Sequence, residues 1–139
     1  MAESIREVMT ADPRTVDAGA TLVEAAREMR DGDVGALIVV ENGTVAGIVT
    51  DRDIVVRAIA DGKDPGSTRV SDVATMNPVT LTVDQTVEDA IRTMREQDIR
   101  RIPVVQDGRP AGIVSLGDLA IERDTDSVLA DISSEPPNN

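Results

Sequence analysis

The chain has 139 residues, with no Cys, no His and no Phe, Tyr or Trp, and its 26 acidic against 14 basic side chains give a net charge of −12. That charge repels phosphate backbones and the missing aromatics remove stacking platforms, so nucleic acid is not an expected partner. Without thiols or imidazoles a metal would have only oxygen ligands, no EF-hand spacing occurs, and no nucleophile and base stand at a plausible spacing, so an enzyme is not expected either.

A chain of this length can bury roughly two thirds of its unfolded surface without a disulfide or metal staple. No apolar run approaches the ~20 residues of a membrane span, and the opening MAESIREVMTADP lacks the apolar stretch of a signal peptide. The absence of Cys also differs from the cysteine-dense habit of small secreted domains. A soluble, cytoplasmic protein with no membrane partner is expected.

In chain order, Ser4 to Met9 reads as a short helical opening, followed by an extended piece after Pro13, PRTV. Thr21 with Glu24 has the spacing of a capping box, and Leu22, Ala25, Ala26 and Met29 recur at helical period up to Gly32. Two apolar runs follow, ALIVV and VAGIV, joined through Asn42-Gly43, which supplies the positive φ of a tight hairpin. DRDIVVRAIA then predicts a second helix that stops before Asp61-Gly62, and Asp61 to Thr68 forms a polar linker.

The same signals then recur 65 positions later. A short helical opening at Ser71 to Thr75 precedes PVTL, the Thr86 and Asp89 capping box, RIPVV, QDGR, PAGIV and GDLAIER. Laying residues 8 to 58 over 73 to 123 gives 18 identities in 51 positions without a gap, so the chain is an internal duplication. Each copy is strand, helix, strand, strand, helix, too small to bury both faces of its sheet. The expected fold is α/β (α+β), two β-α-β-β-α repeats packed with pseudo-two-fold symmetry. The expected division is residues 1–65 for the first repeat with its short helix and linker, 66–124 for the second, and a partly disordered tail at 125–139 with a short-helix echo at 130–137.

The wording GIVTDRD at Gly47 to Asp53, RRIPV at Arg100 to Val104, and Met-Thr-x-x-Pro at Met9 to Pro13 resembles the CBS domain family, named for a segment of cystathionine β-synthase, in its tandem form. The likeness covers residues 1 to about 123 and is similar in TDRDIV to standalone bacterial two-domain proteins of actinobacteria, some linked to hypoxia or dormancy. The resemblance implies a regulatory, non-enzymatic module. Its two clefts between the repeats would hold an adenosine compound such as AMP, ADP, ATP, NAD or S-adenosylmethionine. It also implies a homodimer built from helical faces, an unidentified protein partner to receive the signal, and no obligatory cofactor beyond the regulatory nucleotide. The alternative is a structural or interaction domain with empty or degenerate clefts, which Gly35, Ala36 and Gly117 keep open.

By that resemblance Thr50 with Asp53, and Ser115 with Asp118, face ribose and phosphate. Thr15 and Thr80 flank the cleft, and Ala36 to Ile38 and Arg101 to Pro103 border the base. A carboxylate can accept from both ribose hydroxyls, and free N–H groups at a helix start favour phosphate. The same Thr-x-x-Asp spacing is also a plain capping box, and the two roles are compatible. Arg100 and Arg101 stand where the first repeat has Gly35 and Ala36. They either fork onto phosphate beside Thr50 and Asp53, making that the better phosphate cleft, or pair with surface acids. Arg52 either joins them or faces outward from the helix. Without aromatics, adenine would lie between aliphatic walls such as Val16, Leu37, Ile38 and Ile102, and affinity would be micromolar to millimolar, about −8 to −4 kcal/mol. Met29 and Met94 belong to the core.

Overall fold

The computed structural model describes residues 4–123. It is a mixed α/β protein with two four-stranded sheets, each in its own compact unit. The elements are α1 (Ile5–Val8), β1 (Thr10–Ala11), β2 (Thr15–Asp17), α2 (Leu22–Gly32), β3 (Ala36–Glu41), β4 (Thr44–Thr50), α3 (Asp51–Asp53) running into a π-helix (Ile54–Ile59), and a 3-10 turn (Val70–Asp72). After them come β5 (Thr75–Met76), β6 (Leu81–Thr82), α4 (Val87–Gln97), β7 (Arg101–Gln106), β8 (Arg109–Ser115) and α5 (Leu116–Arg123). The expected tail and its helical echo lie outside the described residues.

One unit comprises residues 12–79 and 107–110, with its sheet in the order β2-β3-β4-β5. Strand β2 runs parallel to β3, as a crossover through α2 requires, and β3 and β4 form the hairpin turned by Asn42 (φ 53°) and Gly43 (φ 80°). Helix α2 starts at the box read from sequence: Thr21 Oγ1 accepts from Glu24 N–H, and Glu24 Oε1 accepts from Thr21 N–H at 2.8 Å. Its buried face, Leu22, Ala25 and Met29, meets Val16, Leu37, Val39 and Val49 of the sheet in the core.

The other unit holds the remaining described residues, 4–11, 80–106 and 111–123, with its sheet in the order β1-β8-β7-β6. Thr86 and Asp89 cap α4 in the same reciprocal way. Leu81, Val87, Ala90, Met94, Ile102, Val104, Val114 and Leu119 form its core.

The short openings belong elsewhere than the division after residue 65 places them. Ile5 is fully buried in the second repeat's core, and its N–H donates to Gln85 O at 2.7 Å, while Arg6 N–H donates to Val83 O at 3.1 Å. Val70 and Val73 are buried in the first repeat's core, with Val70 N–H donating to Ala20 O at 2.8 Å. Each opening also supplies an edge strand: β1 pairs with β8 and β5 with β4, both antiparallel. The reason is unmet demand, because a β-α-β-β-α repeat leaves the outer edge of its last strand unpaired and one end of its core uncovered.

Candidate functional site

Strand alternation sorts the residues that the sequence nominated. In β3, Leu37 and Val39 point to the core, so Ala36 and Ile38 take the opposite face. Register places Thr15 opposite Ile38 and Thr50 opposite Ala36, which brings Thr15, Ala36, Ile38 and Thr50 together on that face at one end of the sheet. In the second repeat Ile102 and Val104 belong to the core, so Arg101 and Pro103 take the face away from it. Arg101 is half-buried, Pro103 is buried, and Thr80 is exposed just before β6.

Three nominated residues do not reach this face. Val16 is 6% exposed, and Leu37 and Ile102 are 0% exposed, all within the cores of their own repeats. They cannot wall a base, because each sits one strand position from a residue on the other face. Ile38, also fully buried, shares Thr15's face and is the aliphatic neighbour of the strand end.

At the end of β4, Thr50 N–H donates to Asp53 Oδ2 at 2.9 Å and Asp53 N–H donates to Thr50 Oγ1 at 3.1 Å. Ser115 and Asp118 repeat the arrangement at 3.2 and 3.1 Å. Both boxes therefore cap their helices, and both leave the carboxylate's Oδ1 outside the cap. The strand ends are tied alike as well: Asp51 N–H donates to Gly35 O at 2.9 Å and Leu116 N–H to Arg100 O at 2.8 Å.

The two ends then diverge. Asp53 Oδ1 lies 3.8 Å from Arg57 Nε, and Arg57 Nη1 donates to Val73 O at 3.2 Å. Asp51 Oδ1 accepts from Arg52 N–H at 2.8 Å. The first three amides after Thr50 are thus all engaged, contrary to the expectation of free N–H groups there. At the second end Leu116 replaces Asp51, and among the described residues no ion pair reaches Asp118. Arg52 and Arg100 are exposed. Asp51 and Arg57 were not among the residues nominated from sequence. Their signal was the column mismatch with Leu116 and Glu122 across the duplication.

The first-helix boxes shift titration without forming a site. The N-cap amide and hydroxyl of Thr21 hold the Glu24 carboxyl below its ordinary value. The Thr86 amide, and then Arg92 at 2.6 Å, do the same for Asp89. Among the described residues no group of three or more Asp or Glu side chains could hold a metal ion, and no helix is long and apolar enough to cross a membrane.

The sequence model for the CBS domain matches residues 5–59 and 70–123. The chain is 42% identical over 120 residues to the CBS domain-containing protein YhcV of Bacillus subtilis, covering 86% of this chain and 85% of that one. It is 34% identical over 116 residues to Hypoxic response protein 1 of Mycobacterium tuberculosis, covering 83% and 81%. Its fold matches the crystal structure of the CBS domain pair of protein MJ0100 in complex with 5′-methylthioadenosine and S-adenosyl-L-methionine, with a TM-score of 0.77, 27% identity, and coverage of 88% of this chain and 95% of that one. With both repeats matched, the chain belongs to the CBS domain family as a tandem pair.

Proposed function

We propose that the chain is a non-enzymatic regulatory module that binds an adenosine-containing ligand at the strand ends Thr50–Asp53 and Ser115–Asp118. The observation that carries this reading is the duplicated carboxylate whose Oδ2 serves the cap and whose Oδ1 stays outside it, set against Arg57 at Asp53 and reached by no ion pair among the described residues at Asp118. A ribose diol offers two donors to such an acid. Thr15, Thr80, Ile38 and Pro103 border the sugar and base, Arg100, Arg101 and Arg52 supply positive charge, and the complexed adenosine compounds of MJ0100 support the ligand class. A thermal-shift panel of AMP, ADP, ATP, NAD and S-adenosylmethionine tests it. A ligand at 100 times its Kd adds about 2.7 kcal/mol to the native state, so at least one compound raises the melting temperature by several degrees. Flat melting curves with all five contradict the proposal.

A second reading, an interaction domain, is favoured by one face of the first repeat. Val55, Val56 and Ile59 on the π-helix are 57%, 46% and 50% exposed. They adjoin an apolar recess of about 360 Å³ lined by Leu22, Val23, Ala26, Ile54, Ile59 and Pro65, with Arg27 and Arg30 also on its wall. The occupant we assign is a second copy of the chain, which makes a homodimer compatible with ligand binding; Val55→Glu then yields a monomer in sedimentation. An unchanged sedimentation coefficient removes this face from the interface.

A further inference from the structure

Among their differences, the two strand ends carry unlike residues directly after the box hydroxyl. In the first repeat the residue after Thr50 is Asp51, whose Oδ1 accepts from Arg52 N–H at 2.8 Å. Its Oδ2 lies 3.1 Å from the place a β-carbon on Gly35 would occupy. The carboxylate thus fills the space beside Gly35 and puts a fixed negative charge at the mouth of the Thr50–Asp53 box. In the second repeat the same two positions hold Arg100 and Leu116, an inversion from small-plus-acidic to basic-plus-apolar. Arg101 adds a further cation there in place of Ala36.

We infer that Asp51 is a specificity-determining residue: it excludes phosphate from the first strand end, which takes uncharged or cationic adenosine compounds, while Leu116 leaves the second end open to phosphorylated ones. The inference rests on the adenosine reading above and deepens it. The physical reason is that an anion at the first end meets a like charge at short range and finds the Arg52 amide already occupied. Asp53 is in turn held by Arg57, so the acid kept for the ribose is partly neutralised by a group fixed to Val73 O at 3.2 Å. The assignment reverses the sequence-based expectation that the Thr50–Asp53 end binds phosphate better.

Calorimetric titration with AMP and with adenosine separates the possibilities. The native chain takes one AMP and two adenosines per protomer. Leu116→Asp weakens AMP about tenfold or more while adenosine changes by less than about threefold, the size expected for one added like charge near the surface. Asp51→Leu gains a second AMP site. Asp51→Asn, which can still accept from Arg52 N–H but lacks the charge, gains it too, so a folding defect in the Leu variant does not decide the result. Two AMP sites in the native chain, or unchanged AMP binding in Leu116→Asp and Asp51→Asn, overturn the inference and leave the adenosine reading standing. A native chain that binds neither probe also overturns the inference, and only flat melting curves across the five-compound panel overturn the adenosine reading with it.

Discussion

Asp118 has two oxygens, and the helix cap uses one of them. Its Oδ2 receives Ser115 N–H at 3.2 Å, so removing the side chain takes a capping interaction worth about 1 kcal/mol from α5. If Oδ1 also receives a ribose hydroxyl, Asp118→Ala further loses a hydrogen bond to a charged group, about 1.5–3 kcal/mol or roughly 10- to 150-fold in affinity. The expected outcome is therefore a small fall in urea midpoint with cooperative unfolding, together with a large loss of nucleotide binding. A variant that only unfolds earlier and binds normally makes Asp118 a cap alone. Glu24 and Asp89 give a second test at this scale. Both carboxyls are held below their ordinary values by amides they accept from, so folding is stabilised by their ionised forms. That contribution is complete above the ordinary carboxylate range and fades as the pH falls through the lowered values. Glu24→Gln and Asp89→Asn should accordingly flatten the acid limb of a stability-against-pH curve measured by urea unfolding.

Among the elements, the edge strands depend on two glycines. A β-carbon on Gly47 would meet Thr75 O at 2.7 Å and the Met76 sulfur at 2.8 Å, and one on Gly112 would meet Thr10 O at 2.7 Å and the Met9 sulfur at 2.6 Å. Backbone atoms cannot step aside as a flexible side chain can, so Gly47→Ala should destabilise by about 1–3 kcal/mol or more, measured by urea unfolding followed by far-UV circular dichroism. These glycines were visible in the sequence only as identities between repeats. The elements they serve were not, because two-residue strands have no period, and β1 finds its partner β8 about a hundred positions away. Helices α2 and α4 were legible because a capping box and an apolar 3.6 period agree, and the hairpin because Asn42-Gly43 permits few alternatives. Val16, Leu37 and Ile102 were misassigned for want of applying the two-residue period of a strand, which sets Thr15 and Ile38 on one face and their neighbours on the other. The π-helix escaped notice because IVVRAI satisfies the spacing of either helix type.

For the molecule, the duplication yields two like cores completed by segments that sequence order assigns to the wrong repeat. Ile5→Ala should cost about 2–5 kcal/mol although it lies near the chain's start, because its side chain is fully buried among Leu81, Val83 and Met94. The loss registers as earlier unfolding of the second repeat in hydrogen exchange, whereas a change confined to residues 12–79 would refute the assignment. If the paired strand-end carboxylates make this tandem chain a sensor of adenosine compounds, their loss must remove ligand binding. Titration calorimetry of the Asp53→Ala, Asp118→Ala double variant against whichever of the five nucleotides most stabilises the native chain tests this directly. The account predicts a folded protein with binding reduced by at least about tenfold, since both acceptors for ribose are gone. A folded double variant with native affinity contradicts it.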